Sequence, residues 1–106
     1  MTDERITHAS PADVQRWLEN GEILLIDVRE PDEYAAARIP GALLYPLSTF
    51  DARTLPRDGR RLVMQCAAGG RSLKAAQALL QAGHGHATHL AGGIKAWREA
   101  SLPVIP

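Results

Sequence analysis

Cys66 is the only cysteine of the 106-residue chain, and it opens the run Cys-Ala-Ala-Gly-Gly-Arg-Ser, which leads into a helix-like sequence. Gly69 and Gly70 can take positive φ values, so the backbone can curl tightly at this point. A tight loop before a helix turns several backbone N–H groups inward and forms an anion-binding nest, which the helix dipole strengthens. Such a nest, together with the permanent cation of Arg71, would hold the pKa of a thiol below its ordinary value. We therefore expect Cys66 to be a nucleophilic thiolate.

A buried, inert cysteine is the alternative, since this residue type is common in protein cores. A core cysteine predicts bulky apolar neighbours on both sides of Cys66. The residues before Cys66 fit this alternative, because Leu-Val-Met is typical of a buried strand. The residues after it do not, because they are small residues followed by Arg71. Ser72 is open to two interpretations, because a serine here can also be a simple helix cap. The neighbouring residue types favour a chemical role for Cys66.

The elements that position this loop are predicted from hydrophobic patterns. Continuous apolar runs in EILLIDV and RLVMQC are typical of buried parallel strands, and GALLYPL and THL indicate two more. Helices are predicted from Pro11, from Pro31, in SLKAAQALLQAG and in IKAWREA. This alternation predicts an open, mainly parallel α/β sheet with helices on both faces. Functional groups gather at the carboxyl ends of such strands, which is where Cys66 falls.

Three segments resemble the signatures of the single-domain rhodanese sulfurtransferases. IDVREPDEYAAARIPGA is similar to the amino-terminal signature, and CAAGGRS to the Cys-x-x-Gly-x-Arg-Ser active loop. LAGGIKAW, with LPV after it, is similar to the carboxyl-terminal signature. The resemblance runs through nearly the whole chain. It implies one rhodanese-like domain over residues 1–106 with a five-stranded, mainly parallel sheet.

This resemblance also implies a reaction. Cys66 would accept a sulfane sulfur from thiosulfate or a related donor, become a persulfide, and pass the sulfur to a thiophilic acceptor. The acceptor would be cyanide or a thiol, for instance that of a thioredoxin-like protein, and neither a metal nor another cofactor is implied. Arg71 would share the catalytic role by holding the loop and adding positive potential. The backbone amides that would cradle the transferred sulfur or the anionic donor are those of Ala67, Ala68, Gly69, Gly70 and Ser72.

Charged residues of the amino-terminal signature are expected to be structural. Asp27, Arg29 and Glu33 match the signature, and we expect ion pairing and helix capping from them rather than acid–base catalysis. Arg38 stands where the family usually has a histidine. We expect this departure to change local hydrogen bonding rather than the chemistry.

Two other functions remain open. A cysteine phosphatase or arsenate reductase of the related fold also uses a Cys-to-Arg loop before a helix, but with five intervening residues. Four residues separate Cys66 from Arg71, which should make the ring too small for a tetrahedral phosphate. The residue before the cysteine is also Gln65 rather than histidine. A non-catalytic protein-binding module is the second alternative, against which the retained Cys66 and Arg71 argue.

Composition argues against several partners and compartments. Twelve basic and twelve acidic side chains cancel, so no overall field steers the chain to nucleic acid or to a membrane. The apolar runs are shorter than a membrane span needs, and the first residues do not resemble a secretory signal. One cysteine also excludes an intramolecular disulfide. We therefore expect a cytoplasmic protein.

The sequence gives little evidence for a function of the histidines. His84, His86 and His89 cluster in HGHATH, but this spacing is weak evidence for a metal site, which demands specific geometry. We expect these three to be surface residues without a metal. His8 stands alone and is given no role.

Overall fold

A five-stranded parallel sheet forms the centre of the computed structural model, which describes residues 3–106. The strands are β1 (Ile6–Ala9), β2 (Ile23–Asp27), β3 (Leu43–Leu44), β4 (Arg61–Gln65) and β5 (Ala87–Leu90). They lie in the order β1-β5-β4-β2-β3, and each neighbouring pair is parallel. The expected α/β class and mainly parallel five-stranded sheet are confirmed.

The described residues also form four α-helices and two short 3-10 helices. The α-helices are α1 (Pro11–Glu19), α2 (Pro31–Ala36), α3 (Gly70–Gln81) and α4 (Gly93–Glu99), and the 3-10 helices are Leu47–Thr49 and Ala52–Thr54. α1 begins where expected, because Pro11 fits the first helical position and the Ser10 hydroxyl accepts a hydrogen bond from the Asp13 amide. None of these helices is long and apolar enough to cross a bilayer.

Helices cover both faces of the sheet, as predicted. α3 packs on one face, and α1 and α4 pack on the other. This arrangement produces two buried clusters, one on each side of the strands. The first includes Ile26, Met64, Ala75, Ala76 and Leu79, and the second includes Val14, Leu25, Val63, Ile94 and Trp97.

Two strands differ from the sequence prediction. β1 was not predicted, because its four residues, Ile-Thr-His-Ala, contain only two apolar side chains that become buried. β3 is much shorter than the predicted GALLYPL strand and ends before Pro46, which has no amide to donate to a sheet. β1 pairs with β5 and forms one edge of the sheet.

Candidate active site

The loop that begins at Cys66 lies at the carboxyl edge of the sheet. Cys66 directly follows β4, and α3 begins at Gly70. Gly69 precedes this helix with φ 110°, a conformation that side-chain-bearing residues rarely adopt. The chain therefore turns from a buried strand into a helix within four residues, which brings the first amides of α3 back towards Cys66.

The Cys66 thiol is buried and bonded to this turn. The Gly69 amide donates a hydrogen bond to Sγ at 3.1 Å, and Ser72 Oγ lies 3.5 Å from Sγ. Burial raises the pKa of the thiol, but the Ser72 hydroxyl and the amides of Ser72, Gly69 and Ala68 outweigh it, so the pKa lies below its ordinary value. The residue is 1% exposed and also touches the apolar core under α3. Cys66 thus lies between the apolar core and the hydrogen-bond donors of the turn.

The first turn of α4 holds the other side of the loop. The amides of Ile94 and Lys95 donate to the carbonyl oxygens of Cys66 and Ala67, at 2.9 and 3.1 Å. A Cβ atom at Gly93 would overlap the Cys66 carbonyl oxygen and lie 2.6 Å from the Ala67 carbonyl carbon, so only glycine allows this approach. These two hydrogen bonds hold the backbone of Cys66 and Ala67 against the start of α4.

Arg71 is bound to α2 rather than to the loop carbonyls. Its two terminal nitrogens donate to the two carboxylate oxygens of Glu33 at 2.7 and 2.9 Å. The hydrogen bond to Glu33 raises the pKa of Arg71, and the negative charge of Cys66 adds to this effect. Arg71 thereby fixes the start of α3 against α2. Part of the positive potential expected from it is neutralised by Glu33.

The remaining charged residues of the amino-terminal signature are structural, as expected. The guanidinium of Arg29 makes three hydrogen bonds of 2.8 to 3.1 Å to the Asp27 carboxylate, and both residues are buried. Glu33 also accepts the Glu30 amide at the start of α2, which completes a capping box. Arg38, in place of the family's histidine, stacks on Tyr34 and pairs its backbone with Ile105.

The interpretation of Ser72 as a helix cap is wrong, because Gly69 is the N-cap of α3 and Ser72 lies in the first turn of that helix. The Ser72 Oγ lies 3.2 Å from the Gly69 carbonyl oxygen and 2.8 Å from Nδ1 of His89. The other ring nitrogen of His89, Nε2, lies 2.7 Å from Nδ1 of His8. Sequence reasoning missed both histidines, because this contact joins residues 81 positions apart. The sequence feature that could have indicated this contact is the Thr-His pair, which occurs in both ITHA and ATHL.

The expectation of surface histidines was wrong for His89, which is 3% exposed because α3 covers its strand. His84 and His86 contact different groups, Arg57 and the Thr7 hydroxyl respectively. The three histidines do not converge. Across residues 3–106 no cluster of three potential metal ligands is present.

A cleft of about 430 Å³ lies at the opposite end of the strands. It is bordered by the beginnings of β4 and β5 and includes Arg57, Arg61 and His84. Since Cys66 follows the carboxyl end of β4, this cleft is separate from the loop described above.

The comparisons with known proteins agree with this geometry. The family model for the rhodanese-like domain matches residues 10–100. The chain belongs to the rhodanese family. A sulfurtransferase from Allochromatium vinosum is 39% identical over 93 residues, which cover 86% of each chain.

A larger protein and a solved structure are similar to the chain as well. A probable adenylyltransferase/sulfurtransferase MoeZ of Mycobacterium tuberculosis is 39% identical over 99 residues, covering 89% of this chain. The chain spans only 25% of that relative's length. The crystal structure of a rhodanese-related protein from Thermoplasma volcanium has a TM-score of 0.81 and 30% identity, covering 93% of this chain and 97% of that one.

Proposed function

We propose that the chain is a rhodanese-type sulfurtransferase that carries a sulfane sulfur as a persulfide on Cys66. The Cys66 thiolate attacks the outer sulfur of thiosulfate or a related donor, and a new S–S bond forms to Sγ. The bond between that sulfur and the rest of the donor breaks, and the leaving group, which is sulfite when the donor is thiosulfate, departs with the electron pair. A thiophilic acceptor then attacks the terminal sulfur and regenerates the thiolate, which makes the reaction ping-pong.

The contact between Sγ of Cys66 and the Gly69 amide is the observation that carries this proposal. A hydrogen bond from an amide at 3.1 Å stabilises the thiolate, which is the nucleophilic form. The same turn supplies further donors to an anionic sulfur beyond Sγ. The amides assigned to this cradle are those of Ala67, Ala68, Gly69, Gly70 and Ser72.

The burial of Cys66 supports a small donor. Because the residue is 1% exposed, the donor must present a slender terminal sulfur to the mouth of the loop. Arg71 is half-buried near that loop, and its charge favours an anionic donor while its pair with Glu33 fixes the helix start. Thiosulfate meets both requirements.

The acceptor in this proposal is a thiol or cyanide. Ala67 and Ala68 offer methyl groups at the loop, so they give little side-chain selectivity against either acceptor. A thiol acceptor could belong to a thioredoxin-like protein. A reducing compartment such as the cytoplasm suits a lone cysteine that must remain a free thiolate.

Intact-mass spectrometry after incubation with thiosulfate tests the proposal. The native chain should gain one sulfur atom, which cyanide then removes as thiocyanate. Cys66→Ser is the matched variant and should gain none. No gain by the native chain, or an equal gain by Cys66→Ser, contradicts the persulfide assignment.

The same preparation distinguishes the two alternatives. Hydrolysis of an aryl phosphate without sulfur transfer would identify a cysteine phosphatase instead. A non-catalytic binding module would release no thiocyanate and hydrolyse no phosphate ester. A sulfurtransferase should release thiocyanate, with a yield that falls to background in Cys66→Ser.

A further inference from the structure

Four side chains form an unbroken row of hydrogen bonds from the Cys66 loop to the edge of the sheet. Sγ of Cys66 and Oγ of Ser72 are 3.5 Å apart, and that Oγ lies 2.8 Å from Nδ1 of His89. Nε2 of His89 lies 2.7 Å from Nδ1 of His8. The first three side chains are buried, whereas His8 is exposed. The row therefore connects a buried thiol with solvent.

Strand register brings the two imidazoles together. His8 of β1 and His89 of β5 are direct register partners in a parallel pair, so their side chains leave the sheet on the same face. Their ring centroids are 4.7 Å apart with an interplanar angle of 74°. Ser72 approaches from the first turn of α3, which packs on that face. Three separate elements thus contribute one continuous row.

We propose that Ser72, His89 and His8 relay the proton of the Cys66 thiol to solvent and return it by the same route. This inference rests on the sulfur transfer proposed above. Ser72 touches the reacting sulfur. His89 and His8 act through Ser72 and are positioning residues.

Each step of the relay moves one proton along an observed contact. The thiol proton passes to Ser72 Oγ while the Ser72 hydroxyl proton passes to Nδ1 of His89. The proton on Nε2 of His89 passes to Nδ1 of His8, which becomes an imidazolium and releases its Nε2 proton to water. The products are a Cys66 thiolate, two neutral imidazoles and one hydrated proton. Every hydrogen bond in the row then donates towards sulfur.

The protonation state of His89 suits this role. Burial lowers the pKa of His89 to about 4, and the charge of His8 adds to that effect. The imidazole is therefore neutral near pH 7, with one nitrogen donating and the other accepting, as a relay requires. Within residues 3–106, no carboxylate lies within 4 Å of a nitrogen of either ring. The other titratable groups in the row, besides His89, are His8 from β1 and Cys66 after β4. The β4 register partner of His89 is the uncharged Met64.

Protonation of His8 should consequently be coupled to ionisation of Cys66. A protonated His8 must donate from Nδ1 to His89, which orients the Ser72 hydroxyl proton towards the thiolate. A neutral His8 also allows the opposite orientation, in which Ser72 donates to His89. The pH profile of Cys66 reactivity should therefore change when either histidine of the row is removed.

The rate of Cys66 alkylation by iodoacetamide, measured from pH 4 to 10, tests this coupling. The profile of the native chain is the reference. His89→Phe removes both ring nitrogens and should raise the midpoint by about one unit, so that alkylation below the midpoint is about tenfold slower. His8→Ala removes the solvent end of the row and should shift the profile in the same direction by a smaller amount. His86→Phe changes an exposed histidine outside the row and should keep the native profile.

Native-like profiles in His89→Phe and His8→Ala would overturn the relay. If circular dichroism shows that His89→Phe has unfolded, the exposed substitution His8→Ala decides alone. Alkylation requires no sulfur donor, so this result is independent of persulfide formation. If the variants have altered alkylation profiles but the native chain gains no sulfur from thiosulfate, the relay stands and the proposed sulfur transfer is wrong. If the native chain gains sulfur but the variants have native-like profiles, the sulfur transfer stands and the relay is wrong.

Discussion

The amide of Ile94 donates a hydrogen bond of 2.9 Å to the carbonyl oxygen of Cys66, so the first turn of α4 and the candidate nucleophile share one contact. Gly93 makes this approach possible, with φ 61° and its Cα against the Cys66 and Ala67 peptide units. Gly93 of the carboxyl-terminal signature is therefore part of the structure that holds the Cys66 loop. It positions the loop through backbone contacts.

Gly93→Ala should consequently impair both stability and sulfur transfer. The added Cβ overlaps backbone atoms, which cannot move aside as a side chain can, and φ is unfavourable for alanine. We expect a lower melting temperature and a thiocyanate-forming rate reduced at least tenfold in protein that remains folded. Gly85→Ala is the control, because a Cβ there meets nothing within 4 Å. Equal rates for the two variants would show that α4 does not hold the loop.

Ser72→Ala should raise the pKa of the Cys66 thiol. Burial already raises this pKa, and the Ser72 hydroxyl is the foremost group that lowers it. Its loss should move the midpoint of iodoacetamide alkylation upwards by about one unit, which is a tenfold loss of thiolate below the midpoint. Lys74→Ala, an exposed change on the same helix, should leave the midpoint in place. An unchanged midpoint in Ser72→Ala would mean that the amides alone stabilise the thiolate.

The Glu33–Arg71 pair should make the stability of the fold depend on pH in the acidic range. The Arg71 hydrogen bond lowers the pKa of Glu33 from its ordinary 4.5 to about 2. A depressed carboxyl pKa contributes stability that is present above the unfolded value and disappears as the pH falls from about 4.5 to about 2. Glu33→Gln should flatten the fall of the melting temperature across that window. Asp32→Asn, exposed in the same helical turn, should retain the native slope, and matching slopes in both variants would contradict the assignment.

Arg29→Met should be strongly destabilising. The substitution leaves the buried Asp27 carboxylate without its partner, and breaking such a pair costs about 3–5 kcal/mol. Urea denaturation measures the difference in the free energy of unfolding. Arg53→Met breaks the exposed pair with Asp51 and should change little. If the two variants are equally stable, the Asp27–Arg29 pair does not support the fold.

Local sequence patterns predicted the parts of the molecule that local physics determines. The Ser10–Pro11 helix start, the apolar strand before Cys66 and the small residues before α3 all act over a few positions. Strand β1 and the partners of His89 and Arg71 depend instead on long-range packing. Glu33 and Arg71 form an ion pair although they are 38 positions apart, and no local sequence periodicity predicts this contact. The sequence therefore predicted the sulfur-bearing loop better than its surroundings.

Strand β1 lies outside the span matched by the family model, which begins at residue 10. A chain shortened to that boundary would retain Cys66 and its loop but would leave β5 as the border of the sheet. Its unpaired backbone groups would then be available to other copies, which favours aggregation. Domain limits drawn from family similarity would thus yield a protein that keeps the Cys66 loop, loses His8 from the proposed relay, and is poorly protected against self-association.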